Sequence, residues 1–421
     1  MERRPSRTTA TQPAHATPAS APDALVSDED LAAIRAAVER ARPAFLAELE
    51  ALVSIDCGSH TKVGVDAVGA RVAGMLADLG GLTVVHPHDD LGDTIVATFP
   101  GAEEAARLLL LAHLDTVFPP GTAASRPFRV ADGRATGPGV TDMKAGLLAG
   151  IHALAAARAV AGSAVGRVAF VANPDEEIGS PSSTQLIRAL AAESDVVLVL
   201  ECARANGDIV SSRKGSVDLR LAVHGRAAHA GVEPEKGRSA ILEAAHLVTE
   251  LHALPARWPT VTCNVGVIAG GTRPNVVAEE AVLEVDLRAA TSAELDAAIA
   301  AVHALASAPS VPDVTVDVVE TSGWRPMEKG PGTAALVDHA IALAARLGFG
   351  LQDASTGGAS DGNTTAGMGV PTLDGLGPVG GLDHSPDEYL DVDSIVPRTT
   401  LLAALIVAVS RDPAFAPGPR S

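Results

Sequence analysis

From residue 28 onward the chain alternates between two spacings of apolar residues. "DEDLAAIRAAVERARPAFLAELEALVSI" has the helical period, with an acidic first turn that suits the helix dipole. The runs "LTVVHP", "TIVATFP" and "RLLLLAHLD" follow, then the helix-like "DMKAGLLAGIHALAAARAV", then "GRVAFVAN" and "DVVLVLEC". The short runs are apolar on both faces and separated by helices, which predicts an α/β domain whose sheet is covered on both sides.

After Gly215 the pattern changes. "SVDLRLAVHG" alternates as a half-exposed strand does, and "RSAILEAAHLVTELHAL" puts Ile241, Ala244, Ala245, Val248 and Leu251 on one helical face. "TVTCNVGVIAG", "AVLEVDLRAA", "SAELDAAIAAVHALASA" and "DVTVDVVE" complete a β-α-β-β-α-β order, the split βαβ arrangement of a ferredoxin-like domain. The expected organisation is an α/β domain over residues 28–214 and 323–413, with a second domain inserted at 215–322.

Composition narrows the function classes. A chain of 421 residues that is 47% hydrophobic can bury a large core. Its net charge of −19 argues against nucleic acid, whose binders carry basic patches. Residues 1–27 are rich in Pro, Ala, Thr and Ser and lack the apolar core of about 7–15 residues that a signal peptide has, so a disordered tail is expected. "LLAALIVAV" (401–409) is shorter than the roughly 20 residues that span a bilayer and reads as a buried helix, so no membrane is expected. Cys57, Cys202 and Cys263 are odd in number and widely spaced, which suits a reducing cytoplasm better than a disulfide framework.

Chemistry concentrates where the first domain's strands end. His113 and Asp115 close "LLLLAHLD", Asp142 lies in "GPGVTDMKAG", Glu176 and Glu177 follow "VAFVANPD", Glu201 ends "VLVLE", and His384 lies in the late loop "GLDHSPDEY". Open α/β sheets bind ligands beyond the carboxyl ends of their strands, so these side chains can share one crevice. Taken singly, His113 is more often a core histidine than a ligand and Asp142 more often a helix N-cap, while Glu176 and Glu177 read as solvated loop charges and Asp175 as a cap or solvated acid. Together, so many carboxylates with two imidazoles call for cations between them, because like charges crowded in one site raise each other's pKa.

"HLDTV", "GPGVTDMKAG", "PDEEIGS", the strand-end Glu201 and "DHS" resemble, in this order, the motifs of the co-catalytic dinuclear zinc exopeptidases. That group holds glutamate carboxypeptidase, aminoacylases, desuccinylases and di- and tripeptidases, and the resemblance spans about residues 28–412. It implies two zinc ions per subunit, one held by His113 and Glu201, the other by Glu177 and His384, with Asp142 bridging. Glu176 would be the general base that takes a proton from the attacking water, and Asp115 would orient His113.

The same resemblance implies that His229 of "HGRAAHAG" reaches from the inserted domain into the site of a dimer partner and helps stabilise the oxyanion. Asn275, Arg288 and Arg325 match positions that contact a substrate carboxylate, and Gly358 lies in a glycine-rich loop that would lie close to substrate. A homodimer formed through residues 215–322 follows from the resemblance. The implied activity is cleavage of the amide bond to a C-terminal amino acid in an N-acyl amino acid or short peptide; an aminoacylase or dipeptidase of the same fold is the alternative. A non-catalytic binding module would need the metal ligands but not Glu176. The lysine that glutamate carboxypeptidases carry just before the inserted domain has no clear match; Arg213 and Lys214 are nearby but offset.

Overall fold

The computed structural model describes residues 25–417. The expected tail lies outside the described residues except for its last three positions, and these are ordered. Leu25 and Val26 are buried, and the Ser27 hydroxyl caps the helix Asp28–Val53 by accepting from the Asp30 amide. The folded chain therefore begins before residue 28.

The main sheet is mixed and six-stranded. Its spatial order is Leu82–His86, Thr94–Phe99, Val168–Asn173, Leu108–His113, Val196–Val199 and Thr372–Leu373. The first two pairings are antiparallel and the rest parallel. In the strand Leu108–His113, alternate side chains enter two separate cores: Leu108, Leu110 and Ala112 one, Leu109 and Leu111 the other. Strand periodicity thus buries both faces, and each fully buried leucine contributes about 1.5–3 kcal/mol. The larger core is closed by helices Asp28–Val53, Gly146–Ala161, Pro331–Leu347 and Ile395–Arg411. The helical stretches Val140–Ala164 and Val392–Arg411 are long and apolar enough to cross a membrane, but 61% and 78% of their most apolar windows are buried inside the molecule. They are core helices, as "LLAALIVAV" suggested.

Residues 215–324 form a four-stranded antiparallel sheet in the order Thr262–Gly270, Glu280–Ala289, Gly215–His224, Thr315–Trp324. Helices Ala240–Ala253 and Ser292–Ala306 cover one face through a core of their own. The last strand runs two residues beyond the expected limit of 322, because it resumes pairing after an irregularity at Glu320/Ser322 and ends at Trp324 opposite Ser216.

The helix Ala240–Ala253 is rotated from the expected face. Ala240, Glu243, Ala244, Leu247 and Leu251 point inward, and Ile241 is 44% exposed. The rotation is possible because the buried Glu243 carboxylate accepts a hydrogen bond from the Val311 amide at 2.7 Å, which satisfies an acid that the pattern alone assigns to solvent.

Candidate metal centre

The parallel register brings three chain segments to one edge of the main sheet. His113 lies level with Asn173, and Leu111 with Val199, so Glu201, two residues on, emerges near His113. The chain after Asn173 turns sharply through Asp175. That carboxylate is fully buried and accepts from the Ser182 amide (2.6 Å), the Ser182 hydroxyl (2.7 Å) and the Ser183 hydroxyl (2.6 Å). Asp175 is therefore neither solvated nor incidental: it shapes the turn that presents Glu176 and Glu177.

Asp115 binds the same turn from the other side. Its two carboxylate oxygens accept from the amides of Glu176 and Glu177, each at 3.2 Å, and the Ser59 hydroxyl donates to it at 2.6 Å. His113 Nδ1 lies 3.0 Å from the Asp115 carbonyl oxygen, which can only accept, so Nδ1 carries the hydrogen and Nε2 faces the cluster.

Asp142 is not a helix cap. It sits at φ −111°, ψ 95° in an irregular turn ahead of the helix Gly146–Ala161. The turn is held by Glu388, buried in the His384 loop, whose carboxylate accepts from the amides of Gly139 (2.8 Å), Thr141 (2.9 Å) and Asp142 (3.1 Å). Gly139 has φ 69°, and a Cβ there would press on Thr116 and on the Asp142 carbonyl oxygen. Sequence reading missed Glu388. Its only signal is its place four residues after His384, and a loop acid at that spacing looks the same when solvated.

The side chains meet as two triads that share Asp142: His113, Asp142 and Glu201, and Asp142, Glu177 and His384. Asp142 Oδ1 is 3.2 Å from His113 Nε2, and Oδ2 is 3.1 Å from His384 Nε2. Glu201 lies 3.5 Å from His113 Nε2, and Glu177 3.0 Å from His384 Nε2. Cys202, beside Glu201, is buried and belongs to neither triad.

Protons balance this crowd of charge. Burial opposes the charged form of His113, but hydrogen bonds to Asp115 and Asp142 and the charges of Glu201 and Glu176 hold its imidazole well above the usual range. Hydrogen bonds to Asp142 and Glu177 push His384 up to about 11. Burial, then the Asp142 charge, raises Glu201 to about 8. The donor set fits divalent metal. Glu177 Oε1 is buried with no hydrogen-bond partner, and mixed imidazole and carboxylate ligands suit zinc.

The chain matches the model of "Peptidase family M20/M25/M40" over residues 109–408. It belongs to that family. This family member is 32% identical over 391 residues to carboxypeptidase G2 of Pseudomonas sp. (strain RS-16), covering 91% of this chain and 93% of that one. It is 30% identical over 367 residues to succinyl-diaminopimelate desuccinylase of Leptothrix cholodnii, covering 80% and 93%. A tripeptidase from Staphylococcus aureus shares the fold, with a TM-score of 0.73 at 24% identity over 88% of this chain and 99% of that one. Membership makes the chain a metal-dependent hydrolase of peptidase type, acting on small peptide or amino-acid substrates.

The remaining expected residues of this family member lie apart from the triads. His229 and Asn275 are on two adjoining exposed loops of the inserted domain, joined by a hydrogen bond from the Ala230 amide to the Asn275 carbonyl oxygen. Among the described residues no hydrogen bond or ion pair links either to the cluster. Arg288 and Arg325 are not free. Asp286 accepts from Arg288 Nε (3.0 Å) and Nη2 (2.8 Å), and Asp296 takes both terminal nitrogens of Arg325. The pairs arise from i, i+2 spacing along one strand face and from the helix Ser292–Ala306, which passes beside the end of the strand Thr315–Trp324. Gly358 accepts from Arg213 Nη1 at 3.2 Å, and a Cβ at Gly358 would meet nothing within 4 Å.

Proposed function

We propose that this chain is a zinc-dependent exopeptidase that cleaves the amide bond to a C-terminal amino acid, with two metal ions per subunit. The observation that carries the reading is the shared Asp142, whose two oxygens each face a different imidazole. In this reading His113 and Glu201 would hold one ion and Glu177 and His384 the other, with Asp142 a ligand available to each. Bound there, such ions supply Lewis acidity and lower the pKa of water towards about 7.

The chain's own residues carry the protons. Glu176 takes one from the water as it attacks the amide carbonyl carbon, and delivers it to the nitrogen as the C–N bond breaks; the products are a carboxylic acid and an amine. Burial, helped by the charges of Glu201, Asp361 and Glu177 and opposed by His113, keeps the Glu176 carboxyl well above the usual range, which suits a group that must both accept and return a proton. Asp115 holds the Glu176–Glu177 turn and the His113 ring in place.

A second reading, an aminoacylase or desuccinylase activity, draws on the desuccinylase relative. Preference for glutamate would require the Arg288–Asp286 or the Arg325–Asp296 pair to open. Zinc-loaded protein assayed on a panel of N-acyl amino acids, N-succinyl amines and dipeptides separates the readings. The carboxypeptidase reading expects the highest kcat/KM on N-acyl or peptidyl substrates with a free C-terminal carboxylate, and fails if N-succinyl amines or other amides lacking that carboxylate are cleaved equally well; simple N-acyl amino acids cleaved far faster than dipeptides mark the aminoacylase.

The cytoplasm is the proposed location, supported by three buried, unpaired cysteines. A homodimer is proposed through the inserted sheet. Its edge strand Thr262–Gly270 exposes Val267 (46%) and Ile268 (54%), next to the exposed Ile241 and Leu242 of the neighbouring helix.

A further inference from the structure

The inserted sheet is joined to the main domain by two crossings of the chain, at Arg213–Gly215 and at Trp324–Met327. They run side by side: the Arg213 amide donates to the Met327 carbonyl oxygen (3.0 Å) and the Met327 amide to that of Arg213 (3.1 Å). Two paired strands resist separation but still allow the sheet beyond them to turn about their common line.

One side chain spans both crossings. Asn363 is fully buried, and its Nδ2 donates to the carbonyl oxygens of Lys214 (3.0 Å) and Arg325 (2.8 Å), residues at which the chain leaves and re-enters the main domain. Its Oδ1 accepts from the Ser360 amide at 3.0 Å. The short helix Asp361–Ala366 needs only that last bond and the Ser360 hydroxyl for its cap, so both donor hydrogens serve the crossings.

The anchor behind Asn363 is rigid and leads to the metal cluster. The Ser360 hydroxyl donates to Asp374 (2.7 Å), which also accepts from Arg213 Nε (2.7 Å). Asp361 accepts from the Ser180 hydroxyl (2.5 Å) and from Asn173 Nδ2 (2.8 Å), and the Ser180 amide donates to the Asp175 carbonyl oxygen (2.8 Å). The segment Ser360–Asn363 thus joins the crossings to the turn that carries Glu176 and Glu177.

We propose that Asn363 is a positioning residue: its single amide plane, bonded to both crossings, sets the angle between the inserted sheet and the main domain. The inserted sheet reaches the glycine-rich loop through Arg288, whose Nη1 donates to Gly357 O at 3.0 Å, so a change of angle moves that contact and the polar face behind it. The inference concerns attachment and stands independently of the substrate assigned above.

The test places nitroxide labels at two exposed positions, Glu250→Cys on the inserted domain and Gln185→Cys on the main one, and reads their distance distribution by pulsed electron resonance. Asn363→Ala removes both donors, and Asn363→Asp keeps the shape while setting oxygens against the two carbonyls. Each is expected to broaden the distribution at least twofold and to lower kcat/KM at least tenfold, with metal content unchanged. Distributions that superimpose on that of the parent protein overturn the proposal, whatever happens to activity. If neither variant folds, hydrogen exchange of the unmutated protein decides. The Asn363 side-chain amide hydrogens, which donate to Lys214 and Arg325, must then exchange as slowly as the amides of the main sheet when read by NMR, and exchange at the rate of an exposed side-chain amide overturns the pin.

Discussion

Glu176 and Glu177 are neighbours with different surroundings. Glu177 faces His384 and keeps a buried, unpartnered oxygen, whereas the Glu176 carboxylate has no hydrogen-bond partner among the described residues. Removing Glu176 should therefore leave the ligand set whole. Glu176→Ala is expected to lower kcat by about 10²–10⁴-fold or more, with zinc content by atomic absorption equal to that of the parent; near-parental turnover would remove Glu176 from the mechanism. Glu388 acts one step further out. Glu388→Gln turns an amide N–H₂ toward backbone donors that need an acceptor, so the Asp142 turn should loosen and zinc affinity fall by about 10–100-fold in chelator competition; unchanged affinity would mean that the turn holds itself. That His113, Glu177 and Glu201 meet in one crevice was legible in sequence because strand ends fix where they emerge; the division into two sets sharing Asp142, and the place of His384, came from the resemblance in motifs. Glu388 and Asp175 were not legible, because what distinguishes them is burial against donors: backbone amides of a distant loop for Glu388, and Ser182 and Ser183 of its own turn for Asp175.

At the level of elements, apolar runs announced the sheet and its helices because both faces of the sheet are buried, and an inserted β-α-β-β-α-β order was equally readable. Orientation within an element was less so: in the helix Ala240–Ala253 a buried, hydrogen-bonded Glu243 changes which face is core. The Arg325–Asp296 pair was illegible for a related reason, since packing between elements sets it, whereas Asp286 and Arg288 stand two apart on one predicted strand and their pairing could have been read. Packing also overrides propensity at Gly146. Alanine is the better helix former by about 1 kcal/mol, yet a Cβ at Gly146 would overlap the Leu200 carbonyl oxygen, next to Glu201. Gly146→Ala is expected to destabilise the protein by about 1–3 kcal/mol and to weaken zinc binding with it, as read by thermal unfolding with and without zinc. A variant more stable than the parent would show that this helix can move away from the strand end freely.

For the whole molecule, the question is where His229 acts. Its loop is exposed and has no bond to its own cluster among the described residues, while the sheet that carries it has an unpaired apolar edge at Val267 and Ile268. An exposed edge strand pairs readily with a copy of itself, and in the homodimer proposed through that edge His229 would act on the neighbour's site. Complementation tests this directly. His229→Ala and Glu176→Ala chains, each expected to be inactive alone, are co-expressed with different tags so that the mixed dimer can be isolated. In that dimer one site has Glu176 from its own chain and His229 from the other, while the second site lacks both. Activity approaching half that of the parent, per dimer, is the expected outcome. A verified mixed dimer as inactive as either variant alone would return His229 to its own subunit's site or exclude it from catalysis, and a protein that sediments only as a monomer would remove the partner altogether.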